Sequence, residues 1–476
     1  METTSEQTQE WLKSSDSREY FELVAFPTVG ADPSRLRDCV ACATWLKKWL
    51  KGIGAEAELV LPPQRGVSEE KAAALSVPVV FAELKGTEGA PTLLFYGHYD
   101  VQPADPLEQW ETPPFEPTPR DGRVYARGAQ DDKGQFFAFL CGLREFWREA
   151  GAAGRARPNV KILLEGQEES GSTGLFRLLG EPEFRRRIAA DVMLVCDTSA
   201  ASDLRPAIVA GMRGVCHFTV RLEAASRDLH SGEFGGVAPN AAQGMCELLA
   251  SLHDARGAIA VAGFRDGAVE PTAEELEAAT AGAASEAEIA REIGTDPCGG
   301  ERGVEPVRRG GFDPTIEVNG VHSGYGGPGS KTVIPCEAVA KLSMRLVPGQ
   351  NPQRCFELVK EHLRARCPGG MRISFPEDSG LSSALKLPLG SPAMHLAEEV
   401  LSEMDVRGPV FRWEGASIPV VAALKETSGA APILVGWGQS GDRIHSPNES
   451  FSVRQFLLAK QWGKAIVSYE YGIIRG

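Results

Sequence analysis

No apolar run in this 476-residue chain approaches the ~20 residues needed to cross a bilayer, which excludes a helical membrane protein. The start, METTSEQTQEWLKSSDSREYF, lacks the charged opening and apolar stretch of a signal peptide, so a cytoplasmic location is expected. Positive charge is in deficit: 50 Lys and Arg stand against 64 Asp and Glu, a net charge of −14. Such a surface repels nucleic acid and anionic lipid, and neither is expected as a partner. The ten cysteines follow no disulfide-framework spacing. Cys39 and Cys42 form a CxxC with no second pair to complete a zinc site, and they sit in an amphipathic helical pattern, so core packing is expected there. A GxSxG nucleophile elbow is also missing, which argues against a serine hydrolase of that class.

What is present is ordinary globular composition, 42% hydrophobic and 24% charged, in a chain long enough for two or three domains. Residues 6–22 and 33–52 have helical periodicity, and AEAELVL and VPVVFAEL read as strands. PTLLFYGHYD, VKILLEGQEES and DVMLVCDTSA are continuous apolar runs that stop abruptly in polar residues. Such runs predict strands buried on both faces, as in a parallel α/β sheet. Helices are expected at 133–149 and 172–180. In open α/β sheets ligands bind beyond the carboxyl ends of the strands, so three strands ending in His, Asp and Glu point to one cleft.

Near residue 213 the texture changes to alternating strands, GVCHFTVRLEAAS and VAKLSMRLVPGQ, with helices expected at 239–255, 272–293 and 352–366. Buried-strand texture returns at APILVGWG, before a closing helix at 453–471. The expected fold is therefore α/β, a mostly parallel central sheet flanked by helices, interrupted by a small α+β domain. The boundaries are 1–212 and 389–476 for the first domain and 213–388 for the insert.

Chemistry gathers at the strand ends. His98 and Asp100 are two apart, so they share a face if the strand runs on. A metal-binding His commonly has its other ring nitrogen held by a carboxylate or carbonyl. Asp131 and Asp132 open a helix, where carboxylates cap and also where one carboxylate can join two cations. Glu168 and Glu169 repel each other at a strand end, and a cation is the simplest compensation, leaving one free as a general base. Glu165 nearby fits a solvated loop. Asp197 closes another buried strand, and His445 lies in GQSGDRIHSPNE between two glycines and a proline. Each signal alone has a plain structural reading. Together they supply imidazole and carboxylate donors without thiolate, a set suited to Zn, Mn or Co.

GHYDVQPADPLEQWETPPFEP, DGRVYARGAQDDKGQ, LEGQEESGS, RDLHSGEFGG, SKTVIP, RLVPGQ and GDRIHSPNE, in this order along nearly the whole chain, resemble the M20 metallopeptidase family in its dipeptidase or carnosinase-like branch. The resemblance implies a catalytic domain interrupted by a lid domain that makes a homodimer. It implies two divalent ions, Zn first and Mn or Co as alternatives. His98 and Asp197 would serve one ion, Glu169 and His445 the other, with Asp131 bridging. Asp100 would orient His98, and Glu168 would be the general base. His230 would reach into the partner's active site to stabilise the oxyanion, Arg345 would bind the substrate's terminal carboxylate, and Thr332 and Ser417 would contact substrate.

One departure stands out: the family commonly has Gly-Gly-Ser-Ile-Pro, and here Ala416 stands in Gly415-Ala416-Ser417-Ile418-Pro419. His217, His253, His322, His362 and His395 match no metal position. The expected activity is hydrolysis of dipeptides or other short peptides. The alternatives are a deacylase of N-acyl amino acids, a carboxypeptidase of the same family, or a metal-binding protein without catalysis, which would have no need of Glu168.

Overall fold

The computed structural model describes residues 5–63, 76–376, 378–415 and 418–469. The chain divides into two units, Met1–Ala210 with Leu387–Arg412 and Ala423–Gly476, and Gly211–Lys386 with Trp413–Ala422.

The first unit is built on the apolar runs. Thr92–His98, Asn159–Glu165, Val192–Val195 and Ala431–Leu434 are strands with almost no exposed residue, because helices cover both faces. They run parallel, with Asn159–Glu165 and Val192–Val195 flanking Thr92–His98 and Ala431–Leu434 outside Val192–Val195. Glu56–Val60 and Val79–Leu84 add an antiparallel edge, completing a six-stranded sheet. The result is the expected α/β class with a mostly parallel central sheet.

Lys133–Ala153 packs on this sheet, with Phe139 stacked on Phe95 at 4.1 Å between ring centroids. Val453–Ser468 lies along that helix. Leu36–Gly52 buries Cys39 and Cys42 in the core. The N-terminal periodic stretch is two helices, Ser5–Leu12 and Ser15–Val24, because the Ser14 side chain accepts the Ser17 N–H and caps the second.

In the second unit Gly214–Glu223 and Glu337–Leu346 are the centre of an antiparallel sheet, with Thr315–Ser323 outside Glu337–Leu346 and Arg372–Ser374 outside Gly214–Glu223. One face is apolar: Cys216, Phe218, Val220 and Leu222 meet Ala340, Leu342 and Met344 over the helices Ala241–Ala250 and Pro352–Ala365. The Ala- and Glu-rich stretch expected as one helix is two, Ala273–Gly282 and Glu286–Ile293. Each starts with a capping box, Thr272 with Glu275 and Ser285 with Glu288, and the second cap ends the first helix's run.

Candidate metal centre

Register puts the chemistry at one end of the first unit's sheet. His98 is the last residue of its strand and pairs with Glu165, while Tyr96 pairs with Val195, two residues before Asp197. Three adjacent parallel strands thus end side by side in His98, the Glu165–Glu169 segment and Asp197. Asp131 arrives from the turn before Lys133–Ala153, across a cis Asp131–Asp132 peptide. His445 arrives from a loop in which Arg443, His445 and Asn448 all hold positive φ, 60°, 58° and 63°. Left-handed backbone at three non-glycine residues is uncommon and costs energy, so its clustering points to function.

Asp131 is the meeting point. Its Oδ1 lies 3.1 Å from His98 Nε2 and its Oδ2 lies 2.9 Å from His445 Nε2. His98 Nε2 is also 3.6 Å from Asp197 Oδ2, and His445 Nε2 is 3.4 Å from Glu169 Oε1. The other ring nitrogen of His98 faces the Asp100 backbone carbonyl at 3.2 Å and the Asp100 carboxylate at 3.5 Å. The same carboxylate accepts the N–H groups of Glu168 and Glu169, both at 3.1 Å, so Asp100 holds the acidic pair as well as the imidazole. Gln102 donates to Glu169 Oε2 at 2.8 Å. Among the described residues no hydrogen bond engages the Glu168 carboxylate.

The electrostatics are those of a cation site. Burial, with Asp197 and Glu169 beside it, pushes Glu168 well above the usual carboxylate range. Burial and Asp131 push Glu169 up, and burial, Asp131 and Glu169 push Asp197 up to about 6. The Asp131 and Glu169 carboxylates raise His445 to about 10. His98 is buried, which works against its charge, yet Asp100, Asp131 and Asp197 raise it well above its ordinary value. Against burial, Asp131 alone among these acids is held below its ordinary value, by His445 and His98, while the three around it resist ionising beside imidazoles that hold protons, the mark of an excess of negative donors.

Divalent cations fit this set. Donor atoms about 2.0–2.2 Å from one cation stand about 3.0–3.5 Å apart at ordinary coordination angles. The histidine–carboxylate pairs here, His98 with Asp131 and Asp197 and His445 with Asp131 and Glu169, span 2.9 to 3.6 Å. Two donor groups are available, Asp131 with Glu169 and His445, and His98 with Asp197 and Asp132.

Two residues enter the site differently from the sequence reading. Asp132 is fully buried and its Oδ2 accepts the His98 backbone N–H at 3.2 Å, so it holds the end of the His98 strand rather than the imidazole. Glu165 is not in a solvated loop. It is 1% exposed, accepts Tyr96 Oη at 2.8 Å and Ser172 Oγ at 3.0 Å, and burial with nearby Asp100 pushes it up to about 7. Its partners come from other segments, which no local pattern reveals.

The remaining candidates lie in the second unit. His230 is exposed and its Nε2 is 3.3 Å from Thr332 Oγ1, because Leu229–His230 pairs with Val333–Ile334. The His230 Nδ1 accepts the Gly232 N–H at 3.0 Å, which puts the proton of the neutral ring on Nε2, beside Thr332 Oγ1. Arg345 lies on Glu337–Leu346 opposite Val215 and Thr315, and partial burial lowers its guanidinium from the ordinary value. Arg213, which the motifs did not single out, is pushed down to about 10 by burial and by Arg345, and donates to the carbonyls of Gly415, Arg309 and Asp313. Ser417, with Ala416, lies outside the described residues.

Residues 94–468 match the model of peptidase family M20/M25/M40, and the chain belongs to that family. The Cys-Gly metallodipeptidase dug1 of Schizosaccharomyces pombe is 28% identical over 453 residues, 91% of each chain. The Beta-Ala-His dipeptidase of Homo sapiens is 30% identical over 385 residues, 79% of this chain and 74% of that protein. Among solved structures, an M20 family metallo-carboxypeptidase from Sulfolobus solfataricus superposes with a TM-score of 0.82 at 26% identity, covering 95% of this chain and 98% of the other. This chain is thus a peptidase of the M20 type. No described helix is long and apolar enough to cross a membrane.

Proposed function

We propose that this protein is a dinuclear metal-dependent dipeptidase. The observation that carries the reading is Asp131, whose two oxygens each face a different histidine, with Asp197 and Glu169 on opposite flanks. His98 and Asp197 would hold one cation, Glu169 and His445 the other, and Asp131 both; Zn suits the donors, as do Mn and Co. When bound, the cations supply Lewis acidity that polarises the scissile carbonyl and makes water nucleophilic near neutral pH.

Glu168 is the general base. Its carboxylate is not engaged by other donors among the described residues, and burial has raised its proton affinity toward the range a base needs. It takes the proton of the attacking water and returns it to the leaving amine. His230 donates Nε2–H to the developing oxyanion, an interaction worth about 2.7–4 kcal/mol in well-studied hydrolases. Arg345 binds the terminal carboxylate with its planar fork, Thr332 and Ser417 contact the substrate, and that anchoring sets the length of peptide accepted.

The dipeptide preference is supported by the activities that the two dipeptidase relatives carry in their names. A homodimer through the second unit is supported by Thr315–Ser323, a nine-residue edge strand with Val318 and Val321 exposed, and by the exposure of His230. A cytoplasmic setting is supported by cysteines that are free throughout the described residues.

The likeness to a metallo-carboxypeptidase favours a second reading, removal of C-terminal residues from longer peptides. The test is a panel of dipeptides, their N-acetylated forms and longer peptides, on chelated protein reloaded with Zn, Mn or Co. Free dipeptides are expected to be cleaved fastest. Faster turnover of the acetylated or longer substrates would overturn the dipeptidase reading and leave the metal chemistry standing.

A further inference from the structure

Four residues after His445, Glu449 carries a carboxylate that is 1% exposed and whose partners all lie more than three hundred residues earlier in the chain. Its Oε1 accepts the backbone N–H groups of Gln130 and Asp131 at 2.9 and 3.1 Å. Its Oε2 accepts the Gly128 N–H at 2.9 Å and Arg127 Nη1 at 2.8 Å. The Glu449 backbone carbonyl accepts the Ala126 N–H at 3.1 Å. Arg127 is equally buried; it donates to the Pro103 carbonyl at 3.0 Å and lies over the Trp110 ring.

We infer that Glu449 is a positioning residue for the metal centre, clamping the Ala126–Asp131 turn to the His445 segment so that the Asp131 carboxylate is held between His98 and His445. Three features of the geometry argue for this over simple core filling. The carboxylate reaches the N–H of Asp131 itself, so its position fixes the base of that side chain. The same short segment carries His445 and Glu449, so one movement would shift both sides of the Asp131–His445 pair. The turn it grips is tightly built: Gly128 has φ +80°, and a Cβ there would stand 2.5 Å from Val101 Cγ1. An amide cannot replace the carboxylate, because its one oxygen serves one pair of donors while its NH2 group opposes the other pair.

The inference rests on Asp131 as the ligand common to both cations, so its test includes that residue. Wild type, E449Q, R127M and D131N are stripped with chelator and titrated with Co(II). Affinity and stoichiometry are read from the visible spectrum, with kcat and KM for a dipeptide and the melting temperature of the metal-free proteins. E449Q is expected to bind Co(II) about 10–100-fold more weakly, the usual cost of losing a partner behind a metal ligand. Its kcat should fall with KM unchanged, and its Co(II) spectrum should differ from wild type.

R127M, which leaves the backbone bonds of Glu449 intact, should weaken Co(II) less than E449Q, and it carries the test if E449Q does not fold. Wild-type Co(II) affinity and spectrum in folded E449Q, or in R127M where E449Q is unfolded, would overturn the positioning role, even alongside a lowered metal-free melting temperature. D131N that keeps two ions would overturn the shared-ligand reading. D131N losing metal while E449Q keeps it would remove only the role of Glu449.

Discussion

At the scale of single residues, the candidate site was legible wherever a buried strand stopped. His98, Asp197 and the Glu168–Glu169 pair announce themselves because an apolar run ends in a group that water or a cation must satisfy. What adjacency hides is direction. Asp131 and Asp132 are neighbours, yet one faces both histidines and the other turns back to the His98 N–H. Glu165 looks like its neighbours in sequence, and only Tyr96 and Ser172 make it an interior group. Glu168→Gln should keep the metal content and KM of wild type and lower kcat by about 10²–10⁴-fold, the usual worth of a general base; steady-state kinetics and metal analysis on one preparation check it. Arg345→Met should raise KM for dipeptides by about 10–100-fold, from a charge-assisted hydrogen bond of about 1.5–3 kcal/mol, and leave metal binding alone.

At the scale of elements, periodicity identified strands and helices but not their pairing. Glu56–Val60 alternates with Glu56 and Glu58 exposed, as an edge strand does, but nothing in Val79–Leu84, as apolar as the parallel strands, declares that it runs opposite to them. Boundaries slipped where a serine cap interrupted a helical pattern, as at Ser14 and Ser285. Contact between elements supplies two predictions.

Gly97 lies where a Cβ would stand 2.9 Å from both Asp132 Oδ2 and Phe136 Cβ, so strand and helix touch there with no room for a methyl. Gly97→Ala should destabilise by about 1–3 kcal/mol, read by denaturant unfolding, and weaken metal retention.

Glu145, on Lys133–Ala153, binds Lys464 and Lys460 of Val453–Ser468 at 2.6 and 2.9 Å. Against burial, which raises it, those lysines bring its carboxyl down to about 2. A carboxyl whose folded value is depressed adds stability above its unfolded value, about 4.5, and loses it as pH falls through that value toward about 2. Glu145→Gln should therefore lower the melting temperature at pH 6–7 and converge with wild type near pH 2. A difference that persists at pH 2 would mean that the pair acts through packing rather than charge.

At the scale of the whole molecule, the apolar runs change from continuous to alternating near residue 213 and the second unit starts at Gly211, whereas the assignment of Trp413–Ala422 to the second unit has no counterpart in composition. If His230 serves the partner's site, mixing inactive Glu168→Ala and His230→Ala proteins should restore activity that neither has alone, because each mixed dimer assembles one intact site; no recovery after confirmed exchange would place His230 in its own subunit's site.

The central claim is that Asp131 joins two cations. Anomalous scattering from crystals of the zinc-loaded protein tests it directly. Two peaks about 3.5–4 Å apart, one beside His98 and Asp197 and the other beside Glu169 and His445, are the predicted result. A single peak, or two peaks that do not share Asp131, would contradict the account.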